Sequence, residues 1–293
     1  MNSEFLEKYS HLSREKDSYL CVGLDPAVPS MRDKFVIPKH LFEGQGLTEG
    51  IVRFCIGIIE AVSEYTALIK INAWYLFPVL GFEQTKEIVE AVKRSNCLAF
   101  VDAKLTDIAE TNAAALHWIE SLGFDAVTFS PFSGYKGGTD VIYKWAKDKR
   151  KGIFVLCKMS NPGAGDYQSR PVGGTPMYKT IAQEAVKLGA QGFVVGATYE
   201  HELGEIRNII GEDRLILAPG LGPQGGNPEA AFRLGANKLG QGLIVSASRS
   251  IDYAYENLAM PEEQFVEAAR VQARRERDRL NSIRLKVLEE DKS

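Results

Sequence analysis

The sequence contains little that could cross-link the chain or hold a metal ion. Its four cysteines (Cys21, Cys55, Cys97 and Cys157) are scattered and form no C-x-x-C pair. Disulfide frameworks and metal sites need clustered ligands, so each cysteine is interpreted as a small buried hydrophobic side chain in a reducing compartment. The four histidines are isolated as well, and no serine or cysteine nucleophile pattern accompanies them. The sequence therefore predicts a protein with no metal site and no cofactor motif.

The sequence also lacks a long apolar run and a surplus of basic residues. No apolar run approaches the roughly 18 residues of a membrane span, and residues 1–16 have no apolar signal-peptide core. The net charge is -3 and the pI is about 5.9, unlike the basic footprint of a nucleic-acid binder. We expect a cytoplasmic protein that binds neither membrane nor nucleic acid. A phosphorylated ligand would have to be held by a local cluster of residues.

Short apolar runs recur along the chain and alternate with amphipathic, helix-like stretches. The runs are continuously apolar, as is typical of parallel strands buried on both faces. Eight such units predict a (β/α)8 TIM barrel, because eight strands close this kind of barrel. An open doubly wound sheet is the alternative, but no G-x-G-x-x-G follows the first run. The predicted strands are Tyr19–Leu24, Ala67–Ile71, Leu98–Lys104, Ala126–Ser130, Ile153–Lys158, Gly192–Gly196, Leu215–Pro219 and Gly242–Ser246.

Three segments lie outside the repeating pattern. Pro26–Gln45 and the Gly- and Pro-rich stretch Asn161–Thr175 follow the first and fifth predicted strands. Both would leave the C-terminal face of the barrel, where active sites form, so both are candidate lids. Residues 262–293 are charged, with an apolar side, and predict the eighth barrel helix with a solvated extension. The 293 residues are thus expected to form a single barrel domain, since such a barrel needs about 250 residues.

The densest chemical pattern surrounds the end of the third predicted strand. Asp102 and Lys104 are two residues apart, so their side chains should point to one face, the barrel interior. Lys70 ends the second strand and Asp107 follows the third, which predicts two cations and two anions in a small space. Burying such charges is unfavourable unless they pair, and a purely structural strand would use Val or Ile there. A single structural salt bridge remains the alternative, but the combination favours a catalytic array with a lysine as proton donor.

Two loops near the C-terminus have the composition of a phosphate site. Pro219-Gly-Leu-Gly222-Pro-Gln224-Gly-Gly226 follows the seventh predicted strand, and Ser246-Ala-Ser248-Arg249-Ser250 follows the eighth. Barrels commonly bind phosphate with the loops after these two strands. Glycines allow backbone N–H groups to approach the anion, and the Arg249 guanidinium is a forked, charged donor.

The motif Asp102-Ala-Lys104-x-x-Asp107-Ile108-x-x-Thr111 resembles the D-x-K-x-x-D-I-x-x-T signature of the orotidine 5'-phosphate decarboxylase family. Leu24-Asp25-Pro26, Lys70, Met159-Ser160-Asn-Pro-Gly163, the Gln224 loop and Arg249 resemble further family segments, in the same order. The resemblance covers nearly all of the chain, and the length and the Ser246–Arg249 segment are similar to the longer bacterial subgroup. Asn72–Tyr75 and Asp166–Gly174 match the family pattern less well.

The resemblance implies a cofactor-free enzyme that converts orotidine monophosphate (OMP) to uridine monophosphate (UMP). It implies a catalytic array of Lys70, Asp102, Lys104 and Asp107, with Lys104 as the proton donor. It also implies a homodimer in which Asp107, Ile108 and Thr111 complete the neighbouring subunit's site. The implied substrate contacts are the ribose for Asp25, the pyrimidine for Ser160, and the phosphate for Gln224 and Arg249.

Two other functions are compatible with parts of the pattern. A Mg²⁺-dependent decarboxylase or aldolase of sugar phosphates, such as 3-keto-gulonate-6-phosphate decarboxylase, shares the D-x-K-x-x-D strand. Such enzymes carry a carboxylate at the position of Lys70, whose ammonium group would repel a divalent ion. A catalytically silent barrel that binds a nucleotide is the other alternative, and the buried charge array argues against it, because unneeded buried charges are destabilising.

Overall fold

The computed structural model describes residues 3–221 and 225–290 of the chain. Eight parallel strands close a barrel in which each strand pairs with the next along the chain and the eighth pairs with the first. The strands are β1 (Leu20–Leu24), β2 (Leu68–Asn72), β3 (Leu98–Leu105), β4 (Ala126–Phe129), β5 (Gly152–Lys158), β6 (Gly192–Val195), β7 (Leu215–Pro219) and β8 (Leu243–Ala247).

The predicted TIM barrel is confirmed, and every observed strand begins and ends within one residue of the predicted run. The agreement has a physical reason: parallel strands covered by helices on one side and by the barrel interior on the other are apolar along their whole length.

Helices surround the barrel and supply the outer layer of the core. Two of them, Ala109–Leu122 and Met177–Leu188, end at the C-cap glycines Gly123 and Gly189, whose φ angles of 93° and 90° favour glycine. Among the described residues, no helix is both long enough and apolar enough to cross a membrane. The other main helices are Glu4–Glu15, Leu47–Val62, Phe82–Arg94, Asp140–Lys149, Glu200–Ile210, Pro228–Gly235 and Phe265–Glu290.

The loops contain several short helices, turns and strands. The second predicted lid, Asn161–Thr175, contains a helical turn and the start of a small antiparallel hairpin whose last residue is Pro176. The short elements are the helices Ala73–Leu76, Gly165–Gln168, Arg249–Asp252 and Ala254–Asn257, the 3-10 turns Lys39–Leu41, Ser63–Tyr65, Pro131–Ser133, Pro162–Ala164 and Glu262–Gln264, the π turn Tyr135–Thr139, and the hairpin strands Pro171–Val172 and Thr175–Pro176.

The N-terminal end of the barrel is closed by the helix Glu4–Glu15, which the sequence analysis does not predict. Phe5, Tyr9 and Leu12 of this helix are buried against the inward side chains of the strands. The Phe5 ring meets the Phe154 ring edge-on, with 5.9 Å between centroids. A Cβ atom at Gly152 would lie 2.7 Å from the Phe5 ring, so β5 needs glycine where the helix crosses it.

The C-terminal helix Phe265–Glu290 occupies the place predicted for the eighth barrel helix. It packs between Leu47–Val62 and Pro228–Gly235 and so completes the outer ring. Phe265, Ala269 and Ala273, three of the residues on its predicted apolar side, are buried. Its buried stripe continues to Leu280 and Val287, so the helix is packed along most of its length.

Candidate active site

Three charged side chains meet inside the barrel at the C-terminal ends of β2 and β3. Lys104 Nζ donates to Asp102 Oδ1 at 2.7 Å, and Lys70 Nζ donates to Asp102 Oδ2 at 3.3 Å. The Asp102 and Lys70 side chains are only 14% and 10% exposed, whereas that of Lys104 is 35% exposed. One carboxylate thus holds two ammonium groups, and Lys104 is the one with more access to the cavity.

The backbone brings these groups together through an irregularity in β3. The pairing of β3 with β4 shifts between Val101 and Leu105, and Lys104 has a φ of +50°. Such a φ is strained for a residue with a side chain, and strain of this kind clusters at functional sites. Asp102 and Lys104 therefore share one face as predicted, but a local bulge and a left-handed residue contribute to their contact.

Thr128 of β4 stabilises this geometry and was not predicted from the sequence. Its hydroxyl donates to Asp102 Oδ1 at 2.8 Å and accepts from the Lys104 backbone N–H at 2.9 Å. The available signal was a polar residue inside the buried run Ala126–Phe129. Thr128 thus positions both the Asp102 carboxylate and the strained backbone of Lys104.

The array keeps its members charged. Burial by itself would raise the pKa of Asp102, but the neighbouring Lys70 and Lys104 ammonium groups outweigh burial and hold the pKa below its usual value. Burial would lower the pKa of Lys70, but the negative charges of Asp25 and Asp102 outweigh it and raise the pKa. Asp102 is therefore an anion and Lys70 a cation at neutral pH.

Gly23 of β1 leaves the space that these groups occupy. A Cβ atom at this position would lie 2.1 Å from Ser248 Oγ and 3.5 Å from Lys70 Nζ. A side chain at this position would collide with the Ser248 hydroxyl, which would have to move. The glycine therefore serves close packing at the mouth of the barrel.

Asp107 does not join the array within its own chain, contrary to the compact set of four charges expected from strand alternation. Its side chain is exposed and accepts a hydrogen bond from the backbone N–H of Ile108 at 2.7 Å. β3 ends at Leu105, so Asp107 lies outside the strand. The Asp107 carbonyl accepts a hydrogen bond from Asn112 Nδ2 at 2.6 Å. Ile108 and Thr111 are exposed as well, and none of these three residues is among those that line the cavity at the array.

A cavity of about 500 Å³ opens at the charged array. Asp25, Ser160 and Arg249, three of the predicted substrate ligands, line it together with Lys70, Asp102 and Lys104. Among the residues that the structure describes, the buried Asp25 Oδ1 has no hydrogen-bond partner, so this oxygen is an acceptor without a donor. Gln224, the predicted phosphate ligand, lies outside the described residues.

Further residues line the cavity that sequence reasoning did not select. Arg32 comes from the predicted lid after β1, and Tyr75 from the segment after β2. The C-terminal helix contributes Gln272, Glu276 and Arg279 on the side of Arg249. Nothing in the linear sequence indicates this last contribution, because it depends on how the helix packs beside β8.

The loop after β5 is anchored where it leaves the barrel. Lys158 is fully buried and donates to Ser169 Oγ at 2.6 Å, and the Met159 N–H donates to Gln168 Oε1 at 2.8 Å. Lys158 Nζ also lies 4.2 Å from the centre of the Tyr199 ring. Ser160, the next residue, is therefore held at the edge of the cavity.

The side chains that line the cavity can provide charge stabilisation and proton transfer. Lys104 can donate a proton from an ammonium group held beside a fixed anion, and Arg249 offers a charged donor for an anionic group. In residues 3–221 and 225–290, one set of three ligand atoms is close enough for a metal ion, that of His40, Glu262 and Glu263. None of these three residues lines the cavity.

Comparisons with known proteins agree with this geometry. The profile described as orotidine 5'-phosphate decarboxylase / HUMPS family matches residues 18–260. Orotidine 5'-phosphate decarboxylase of Thermomicrobium roseum is 36% identical over 295 residues, covering 97% of both chains. The Cupriavidus metallidurans enzyme of the same name is 33% identical, covering 96% of this chain and 98% of the relative. The structure of Leishmania donovani OMP decarboxylase has a TM-score of 0.76 at 27% identity, with 96% and 99% coverage. The chain therefore belongs to the orotidine 5'-phosphate decarboxylase / HUMPS family.

Proposed function

We propose that the protein decarboxylates OMP to UMP and CO2 in pyrimidine biosynthesis, without a metal ion or cofactor. The observation that carries the proposal is the buried Lys70–Asp102–Lys104 array facing a cavity that Arg249 also lines. The two relatives named orotidine 5'-phosphate decarboxylase support it, since both align along almost their full length. No observation favours the Mg²⁺-dependent sugar-phosphate reaction, and the Lys70 ammonium would repel a divalent ion beside Asp102.

In the proposed reaction the substrate carboxylate lies near Asp102 and Lys104. The bond between the pyrimidine carbon and the carboxylate breaks, CO2 leaves, and the electron pair stays on the ring carbon. The Lys104 ammonium stabilises this developing charge in a preorganised site and then transfers its proton to the carbon. Lys104 regains a proton from water after release of the product. Asp102 repels the substrate carboxylate, and Lys70 holds Asp102 in place.

The remote parts of the substrate supply binding energy in this proposal. Asp25 accepts a hydrogen bond from a ribose hydroxyl, Ser160 contacts the pyrimidine, and Arg249 and Gln224 bind the phosphate. Binding energy gained far from the reacting carbon can position that carbon against the charged array. The lining of the cavity by Asp25, Ser160 and Arg249 supports these roles.

We further propose that the working enzyme is a homodimer in which Asp107, Ile108 and Thr111 complete the partner's site. These three residues are exposed, and the segments after β2, β3 and β4 expose apolar side chains around them. Phe132 is 91% exposed and Ile108 58%. A second copy is the occupant that would bury this surface and receive the Asp107 carboxylate. The exposed apolar side chains are Trp74, Phe77, Phe82, Ile108, Trp118, Phe132 and Tyr135.

An absorbance assay tests the activity. Purified protein is mixed with OMP, with and without EDTA, and loss of the orotate chromophore is followed. We expect rapid loss that EDTA does not change. Turnover that EDTA abolishes would contradict the metal-free mechanism. No turnover in either condition would contradict the proposed substrate, and a sugar phosphate with Mg²⁺ would then be the next substrate to test.

Subunit complementation tests the shared site. Lys104→Ala and Asp107→Ala should each be almost inactive as homodimers. Mixed dimers, formed by co-expression with two affinity tags, carry one site in which Lys104 and Asp107 are both intact. A statistical mixture should therefore recover about one quarter of wild-type activity. No recovery in isolated mixed dimers would show that Asp107 acts within its own chain.

A further inference from the structure

The segment directly after β8 clamps the segment directly after β1. Asp252 Oδ2 accepts from the Asp25 backbone N–H at 3.0 Å, and the Tyr253 hydroxyl donates to the Asp25 carbonyl at 2.8 Å. The same hydroxyl accepts from the Ala27 N–H at 2.7 Å. Both backbone groups of Asp25 are thus bound by two consecutive side chains that follow Arg249 in the chain.

Asp252 is an unusual residue for such a clamp. Its side chain is fully buried, and its second oxygen, Oδ1, has no hydrogen-bond partner within the part of the chain that the structure describes. It does not line the cavity but lies behind Asp25, which does. A neutral amide or an apolar residue would be the ordinary choice in such a place, because an isolated buried carboxylate is strongly destabilised.

The charged and titratable groups around Asp252 favour its neutral form. They come from β1 and its loop (Asp25 and Arg32), from β2 (Lys70) and from the neighbouring helix (Cys55). Burial raises the pKa of Asp252 well above its usual value and the Asp25 carboxylate raises it further, while the hydrogen bond from the Asp25 backbone N–H and the positive charges of Lys70 and Arg32 compensate only in part. Arg32 stacks over the Tyr253 ring at 4.9 Å, and the buried Nη2 of its guanidinium has no hydrogen-bond partner in residues 3–221 and 225–290.

We propose that Asp252 is a positioning residue that, as a neutral acid, fixes Asp25 for binding the substrate's ribose. The inference rests on the proposed function. Asp25 lines the cavity and Asp252 lies behind it, so the clamp presents the Asp25 side chain to the substrate. Because Asp252 follows Arg249 within the short helix Arg249–Asp252, the clamp also ties the ribose side of the cavity to the phosphate side.

Ionisation of Asp252 should disturb this arrangement. As the pH rises through the raised pKa of Asp252, a second negative charge forms behind Asp25, on a side chain that is fully buried. The affinity for substrate should then fall on the alkaline side. The stabilisation that the protonated acid contributes to the fold is complete below its ordinary pKa of about 4 and is lost as the pH rises through the raised pKa.

The test compares Asp252→Asn and Asp252→Ala with wild type and with Asp213→Asn, a change at an exposed acid. Asp252→Asn keeps the acceptor for the Asp25 N–H and cannot ionise. We expect wild-type kcat and KM for it at pH 6, and an alkaline fall in kcat/KM that begins at higher pH than in wild type. Asp252→Ala should raise KM for OMP about tenfold with kcat little changed. An alkaline fall in kcat/KM that has another cause should remain in every variant.

Thermal unfolding gives a readout that does not need activity. The Tm of Asp252→Asn, relative to wild type, should rise as the pH increases above about 4, whereas Asp213→Asn should show no such trend. Identical pH profiles and a pH-independent Tm difference for Asp252→Asn would overturn the inference, whether or not Asp252→Ala folds. Absence of turnover in wild type would instead contradict the proposed function, while the unfolding data would still test the neutral acid.

Discussion

The two ends of the barrel interior are built from the same strands with opposite chemistry. At the N-terminal end the inward residues are apolar and are covered by Phe5, Tyr9 and Leu12. At the C-terminal end β2, β3 and β4 turn Lys70, Asp102 and Thr128 inward, around a cavity of about 500 Å³. The N-terminal end is closed by apolar packing. The C-terminal end keeps an open cavity, and the charged groups that line it bind one another.

The difference separates stability from function. Dry aromatic contacts such as Phe100 on Phe154, with centroids 4.7 Å apart, stabilise the fold in proportion to the apolar area they bury. A buried ion pair contributes little or even opposes folding once desolvation is counted. The charged C-terminal end (the mouth) therefore depends on the apolar N-terminal end (the floor) for stability. Substitutions at the mouth should change the kinetic constants, and substitutions at the floor should change the unfolding free energy.

The largest expected effect is the loss of the proton donor at the mouth. Lys104→Ala should lower kcat at least about a thousandfold, because it removes both the stabilising charge and the proton. The unfolding free energy should change far less than the activity. Lys144→Ala, at an exposed lysine, is the matched control and should behave as wild type. Normal turnover in Lys104→Ala would contradict both the assigned role and the contrast between the two ends.

The floor should show the reverse behaviour. Phe5→Ala should lower the unfolding free energy by about 3 kcal/mol, since it leaves a cavity against Phe154, while kcat of the folded protein stays near wild type. Denaturant titration and the OMP assay measure the two quantities, with Lys8→Ala on the exposed side of the same helix as control. If Phe5→Ala lost activity while fully folded, the floor and the mouth would be coupled.

Substitution at the phosphate side of the cavity should weaken substrate binding and leave the rate of decarboxylation much less affected. Arg249→Ala removes the charged donor proposed for the phosphate, so KM for OMP should rise about a hundredfold. Single-turnover rates at saturating substrate should fall much less. Arg150→Ala serves as the comparison, because Arg150 lies at the other end of the barrel just before β5. An unchanged KM would remove Arg249 from the phosphate site.

The smallest expected effect concerns the support of the charged array. Thr128→Val keeps the shape but removes the hydrogen bonds to Asp102 and to the Lys104 backbone. We expect kcat to fall about tenfold, with KM almost unchanged. Thr128→Ser, which retains the hydroxyl, should restore most of the activity. Equal losses in both variants would indicate packing rather than hydrogen bonding as the contribution of Thr128.

Most of the fold could be predicted because each barrel element carries its own local pattern. A buried parallel strand needs a continuous apolar run, and helices such as Met177–Leu188 end at a glycine that adopts a positive φ. The N-terminal helix was missed although Phe5, Tyr9 and Leu12 have helical spacing. Three apolar residues in a charged segment predict a packed helix only when the surface that receives them is known.

The candidate site likewise contains residues that could be predicted from the sequence and residues that could not. Asp102 and Lys104 stand two residues apart in one strand, so their proximity could be predicted from strand geometry. Thr128 and Asp252 could not be selected, because each gains its importance from a partner more than 20 residues away in the chain. The exposed position of Asp107 also depends on where β3 ends.

The sequence by itself determined the number and bounds of the barrel strands, the charged motif at the end of β3 and the family resemblance. These properties are local, since they depend on the periodicity of neighbouring residues and on which side chains alternate on one strand. Only the tertiary structure decided which end of the barrel is sealed, which loop clamps Asp25 and which helix reaches the cavity beside Arg249. Those properties arise from closure of the barrel, which brings β1 and β8 together although more than 200 residues separate them.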